Sequence, residues 1–155
     1  MTGCKAAFAA LLVLSLGCAT NVCQDASPHR KGTMFSKPID SRPHWNKTGF
    51  QVTAGKTYRF RASGRWCDAG NNPDANGYEK PSLNWWIRFR RVRSAPWFAL
   101  IGTVEGRDAF VIGTDKTWTA TRSGELWCYA NDVWFMYWNN RGSVTLEIEE
   151  LPAAQ

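Results

Sequence analysis

Histidine is the scarcest reactive side chain in this sequence: 155 residues contain two, His29 and His44, both in the polar front part. Neither lies at a spacing from serine and acid that builds a Ser-His-Asp triad, and no two carboxylates are placed as a glycosidase pair. Both histidines read as surface residues, and an enzyme is not the expectation. Among five cysteines there is no Cys-x-x-Cys pair, so neither a thioredoxin-like site nor a zinc knuckle is supported. A helical period is missing too, since no 12-residue window carries a 3.6-residue apolar stripe. Acid is outnumbered by base, 13 to 19, for a formal net charge of +6. The basic residues are spread from Arg30 and Lys31 to Arg141 rather than gathered in one stripe, so nucleic acid is not an expected partner. Their densest group, Arg88, Arg90, Arg91 and Arg93, reads first as a solvated strand face and second as a contact for an acidic surface or glycan.

Long apolar runs are also lacking. The run from Ala6 to Leu14 follows a single charge at Lys5 and precedes small residues; it is too short to anchor a chain across a bilayer and has the layout of a secretory signal peptide. Ser15-Leu-Gly-Cys18 ends it with Gly directly before Cys. That leaves two readings of residues 1–18. A lipoprotein signal puts lipid on Cys18 and attaches the chain peripherally to the outer membrane or within the periplasm; an ordinary signal is cleaved near Ala19 or Thr20 and releases a secreted chain. Residues 19–44 are polar, carry Pro28, Pro38 and Pro43, and read as a tether or a first extended stretch. Residues 45–155 form one domain of ordinary size. With Cys4 and Cys18 assigned to the signal, Cys23, Cys67 and Cys128 remain for an oxidising compartment. The expected bridge is Cys67–Cys128, with a Cys23 partnership left open. Asn46-Lys-Thr48 fits a glycosylation acceptor pattern and is incidental in bacterial export.

What is present is alternation. Gly49–Ala54 and Thr57–Ala62 alternate around the Gly55-Lys56 turn, with Tyr58, Phe60 and Ala62 on one face. Trp85, Ile87 and Phe89 alternate with Trp86, Arg88 and Arg90, predicting a strand, and Trp97–Gly102 predicts a more apolar one. Asp108–Ile112, Thr117–Ala120, Glu125–Ala130 and Ser143–Glu149 complete seven or eight short strands. Between Gly64 and Pro81, repeated Gly, Asn, Asp and Pro predict a long loop with a purpose. The fold class is all-β, a sandwich of short antiparallel strands, with a closed barrel the smaller alternative. Nine tryptophans exceed what such a core needs, so some face solvent, where indoles stack on sugars or pack on partners.

The densest polar signal is Ala130–Ser143, which holds Asp132 and the pair Asn139-Asn140. Side-chain oxygens of this kind are calcium ligands, and a second acidic loop, 68–74, could add more; the same residues also make ordinary turns and caps. From Gly49 to Ile148 the chain resembles the calcium-dependent, galactose-binding lectins of bacteria. Trp97–Gly102, Phe110-Val-Ile-Gly113, Ser123-Gly-Glu-Leu126, Asn131-Asp-Val133 and Tyr137-Trp-Asn-Asn-Arg-Gly-Ser143 follow that family in order and nearly in spacing.

The resemblance implies a jelly-roll-like sandwich and calcium held by Asp132, Asn139, Asn140 and the carbonyls of Met136 and Asp68. It implies a sugar whose neighbouring hydroxyls reach the metal, with Asp132, Asn139, Trp134, Asn72 and Tyr78 at the ligand, and association into oligomers. Departures are plain as well. The family's histidine-proline pair has no counterpart in 70–86, and Trp134 and Phe135 replace small residues, either as a stacking platform or as an obstruction. The expected function is calcium-dependent carbohydrate binding, the resemblance implying a galactose-like glycan; the rival is an envelope lipoprotein that binds a protein partner through a Trp- and Arg-rich surface.

Overall fold

The computed structural model describes residues 34 to 153; the expected signal peptide, Cys18 and Cys23 lie outside the described residues. Eight strands form two four-stranded antiparallel sheets. One has the order β1 (Phe35–Asp40), β8 (Asn140–Glu150), β3 (Thr57–Asp68), β6 (Asp115–Thr119); the other has β2 (Asn46–Val52), β7 (Gly124–Ala130), β4 (Leu100–Val104), β5 (Arg107–Val111). The sheets pack face to face as a jelly-roll-like β-sandwich, as the alternation predicts. No helix among the described residues is long and apolar enough to cross a membrane.

Period-two patterning builds the core. Tyr58, Phe60, Ala62 and Trp66 of β3 and Val144, Leu146 and Ile148 of β8 point inward from one sheet; Leu100, Val104, Leu126 and Cys128 meet them from the other. β3 and β8 pair without a register break from Tyr58↔Glu150 to Asp68↔Asn140, so both long strands run beyond the apolar rows to one end of the sandwich. β1 falls within the polar stretch 19–44 and pairs with β8 from Phe35↔Ile148 to Asp40↔Ser143. Pro38 is tolerated there because β1 is an edge strand.

Two predicted strands are corrected. Pro81–Phe89 is a 3-10 helix in which no residue is buried. Pro81 at its first turn fixes φ for a helical start, Leu83 N–H bonds the Lys80 carbonyl at 2.8 Å, and none of its residues has a partner strand. The alternation of 85–90 therefore has no sheet to serve. Trp97, Phe98 and Ala99 precede β4 rather than belong to it: Phe98 has φ of 57°, outside the extended region, yet its ring is fully buried against Trp66.

The Cys67–Cys128 bridge is also corrected, since both thiols are free. Cys67 stands on the outward face of β3, one residue out of phase with Trp66 and Asp68, whereas Cys128 points into the core from β7 in the other sheet. Facing sheets lie about 10 Å apart, and a disulfide needs converging Cβ atoms. Burial pushes the Cys128 thiol pKa upward, which leaves it inert.

Candidate functional site

The inward-facing rows of three strands run out at one end of the sandwich, and polar residues take over there. On β3 the row Tyr58, Phe60, Ala62, Trp66 ends in Asp68; on β8 the row Ile148, Leu146, Val144 ends in Asn140, directly opposite Asp68. From the other sheet, the β7 row Leu126, Cys128, Ala130 continues to Asp132. Asp68, Asp132 and Asn140 are all buried, at 8%, 4% and 1% exposure. Core-like phase without core-like chemistry singles them out, because buried polar groups cost stability unless they are bonded.

Their hydrogen bonds tie the two sheets together. Asn140 Nδ2 donates to Asp132 Oδ2 at 3.0 Å and to the Ser41 carbonyl at 3.2 Å, and Val133 N–H donates to Asp132 Oδ1 at 2.6 Å. Tyr78 Oη donates to Asp68 Oδ2 at 2.5 Å. Burial pushes the Asp132 carboxyl up to about 6, against the opposing pull of the Val133 and Asn140 bonds, and the nearby Asp68 charge adds to the rise. Burial likewise raises Asp68, with Tyr78 acting in the opposite sense. Tyr78 is itself raised, by burial first and then by its bond to Asp68.

Beside these groups opens a cavity of about 220 Å³, bounded by Asp68, Asn71, Tyr78, Asp132 and Asn139 on its polar side. Trp86, Trp97, Val133 and Met136 make its apolar side. Of the residues singled out in the sequence, Asp68, Tyr78, Asp132, Met136 and Asn139 line it, and Asn140 backs Asp132. Asn72 lines an adjoining depression instead. Trp134 stacks on His44 at 4.4 Å, accepting the imidazole N–H on its carbonyl at 2.7 Å, and Phe135 leans on Phe89 at 6.4 Å. Neither lines the cavity. Asn71, Trp86 and Trp97 were not singled out as ligands by sequence reasoning. The tryptophan surplus pointed to their type, but only the packing of the 3-10 helix over this end selects them.

A second network fixes the 131–140 loop. Asn131, fully buried, accepts Val92 N–H at 2.9 Å, and its amide faces the carbonyls of Val92, Ala95 and Pro96. Arg91 lies over the rings of Tyr129, Trp45 and Trp134 at 3.3, 4.2 and 4.7 Å and donates to Tyr137 Oη at 2.8 Å. The expected arginine face is thus divided. Arg90 is buried, with its guanidinium on the Arg93 carbonyl at 2.6 Å, and Arg91 is enclosed by aromatics. Arg88 and Arg93 are left at the surface.

The expected calcium site is corrected. Among the described residues no group of three or more His, Cys, Asp or Glu that could hold a metal ion occurs. The Asp68 carbonyl accepts both N–H groups of Asn71, backbone at 2.8 Å and side chain at 3.0 Å. The Met136 carbonyl accepts Asn139 N–H at 3.3 Å, and the Asp132 carboxylate is turned to Val133 and Asn140. Three of the five expected contributions already face protein donors, whereas calcium takes six to eight oxygens. Two acceptors stand apart: Asn139 Oδ1 and Asn140 Oδ1 are buried with no hydrogen-bond partner. Chemically, the site offers an acceptor for hydroxyl hydrogens in a cavity that two indoles help to wall.

No family model and no curated protein matches this chain. Among solved structures it is similar to one described as an EclA N-terminal domain, a PllA-like lectin, with a TM-score of 0.58 and 18% identity, over 75% of this chain and 95% of that one. Likeness at that identity concerns the fold: the chain has a distant structural relationship to a PllA/EclA-like lectin fold.

Proposed function

We propose that this chain is a non-enzymatic, carbohydrate-binding protein, lectin-like in function as in fold, whose sugar site is the cavity at the Asp68–Asn140 end of the sandwich. The observation that carries the reading is an unpartnered buried oxygen, Asn139 Oδ1, on a residue that lines the cavity, with a second, Asn140 Oδ1, on the residue next to it, the cavity being walled in part by Trp86 and Trp97. An unsatisfied buried acceptor is costly, and a ligand that brings hydroxyl donors removes the cost. A sugar does this with its hydroxyls while its C–H face lies on an indole. The solved lectin of similar fold supports the same class of ligand. In this reading the hydroxyls bond the protein directly, and the chain acts outside the cytoplasm, residues 1–18 being its export signal.

The test is titration calorimetry with a panel of monosaccharides and short glycans, galactose first, in EDTA and in calcium. Binding is expected in EDTA, and Asn139→Ala or Trp86→Ala weakens it by about tenfold, the worth of one good hydrogen bond or stacking contact. Absence of binding to every glycan at millimolar concentration overturns the reading. Binding that vanishes in EDTA and returns with calcium overturns direct contact and assigns the two amide oxygens to a cation.

A further inference from the structure

We propose that the aromatic tip formed by the 3-10 helix Pro81–Phe89 together with Phe135 docks at the headgroup level of an anionic lipid bilayer. The tip is one contiguous cluster: Trp85–Trp86, Trp85–Phe89, Trp86–Phe89 and Phe89–Phe135 ring centroids lie 5.4, 5.8, 5.7 and 6.4 Å apart. It is also exposed, with Trp85 at 61%, Phe135 at 59%, Trp86 at 41% and Phe89 at 40%. No residue of the helix is buried, and Trp86 belongs both to this cluster and to the wall of the cavity.

Charge selects the partner. From Lys80 to Val104 the sequence contains no Asp or Glu, and of its basic residues Lys80, Arg88 and Arg93 are exposed, Arg90 and Arg91 being held internally. In the adjoining 131–140 loop the one acid, Asp132, is buried. Glu79, at the base of the helix, is paired with Arg90 at 3.4 Å. Arg88 lies within the aromatic cluster, its guanidinium 3.6 Å from the Trp85 ring centroid and 4.9 Å from that of Phe89. Tryptophan rings with an adjoining arginine suit the lipid interface: the indoles settle at headgroup depth and the guanidinium meets phosphate.

Area argues against a protein partner or a second copy. Four rings at these exposures present roughly 400 Å² in total, taking about 200 Å² for each ring. A stable protein interface uses about 800 Å² per side, whereas interfacial binding to lipid scales with whatever apolar area is inserted and adds the electrostatic attraction.

The inference does not depend on sugar binding, and its test uses vesicles without glycan: phosphatidylcholine alone, and phosphatidylcholine mixed with phosphatidylglycerol, with brominated acyl chains as quencher. Quenching reads the tip itself, whatever the residues before Met34 contribute. Tryptophan emission of the full chain is expected to shift blue and to be quenched, more strongly on the anionic vesicles, with the difference shrinking as salt rises. Trp85→Ser with Trp86→Ser removes the quenching; Phe135→Ser weakens it; Arg88→Glu lowers affinity for anionic vesicles by about tenfold and leaves neutral ones little changed. All are exposed positions, so an unchanged melting temperature certifies the fold. Equal quenching in the double variant, no preference for anionic lipid, or a dimer or acidic-peptide complex abolished by the same substitutions overturns the proposal.

Discussion

Asp132 shows how one side chain reports on its surroundings. It continues the inward row of β7 past Ala130, is buried, and has its carboxyl raised to about 6 by burial. A carboxyl raised above its unfolded value holds its proton more tightly in the fold than out of it. Its contribution to stability is therefore complete below the unfolded pKa near 4 and is lost as pH rises through about 6. Asp132→Asn removes the charge and keeps one acceptor, for Val133 N–H, but sets its amide nitrogen against Asn140 Nδ2; relative to the parent it is expected to gain stability as pH rises from 4.5 to 7.5, by up to roughly 3 kcal/mol, each tenfold difference in proton affinity between the folded and unfolded chain being worth about 1.4 kcal/mol. Melting temperatures of both proteins across that range, monitored by circular dichroism, check this; parallel curves would show that the carboxylate meets no such penalty.

At the scale of elements, the 69–80 loop is fixed by close approach and not by side-chain packing alone. Gly77 has φ of +76°, and a Cβ there would lie 2.1 Å from the Trp97 carbonyl and 2.4 Å from Ala99 N. Gly70, with φ of +92°, has open space around it. Both substitutions to Ala are strained, but only Gly77→Ala must push the loop off the Trp97–Ala99 backbone, and with it the Tyr78 N–H bond to the Trp97 carbonyl at 2.8 Å. Expected losses are about 1 kcal/mol for Gly70→Ala and about 3 kcal/mol or more for Gly77→Ala, measured by urea unfolding; equal losses would refute the close-approach argument. The cysteines belong to this scale as well. Since β3 turns Cys67 outward while β7 turns Cys128 inward, both are expected to alkylate in denaturant without reductant, and Cys128 to resist alkylation in the native protein. A mass spectrum that finds them linked would contradict the register. These elements also show how far patterning reaches. β3, β7 and β8 are legible because each has a clean inward row over a core. The 85–90 stretch alternates equally well but becomes a 3-10 helix, because alternation records side-chain order and not whether a partner strand is within reach.

Across the whole molecule, two long strands and one short one deliver polar ends to a single place, and the loops around them close a cavity there. Sequence by itself determined the all-β class, the inward rows of the core, and the concentration of acid and amide groups in the 131–140 loop, since these follow from residue type and a period of two. It also placed Asp132, Asn139 and Asn140 in one loop, though not their partners. Only the tertiary structure decided that Asp68 stands opposite Asn140, that Trp86 and Trp97 wall the cavity, that Cys67 and Cys128 face different sides, and that Arg90 and Arg91 are internal fastenings. The physical reason is one of range. Periodicity acts over a few residues along the chain, whereas each of these outcomes depends on strand order and sheet stacking, which bring together groups tens of residues apart.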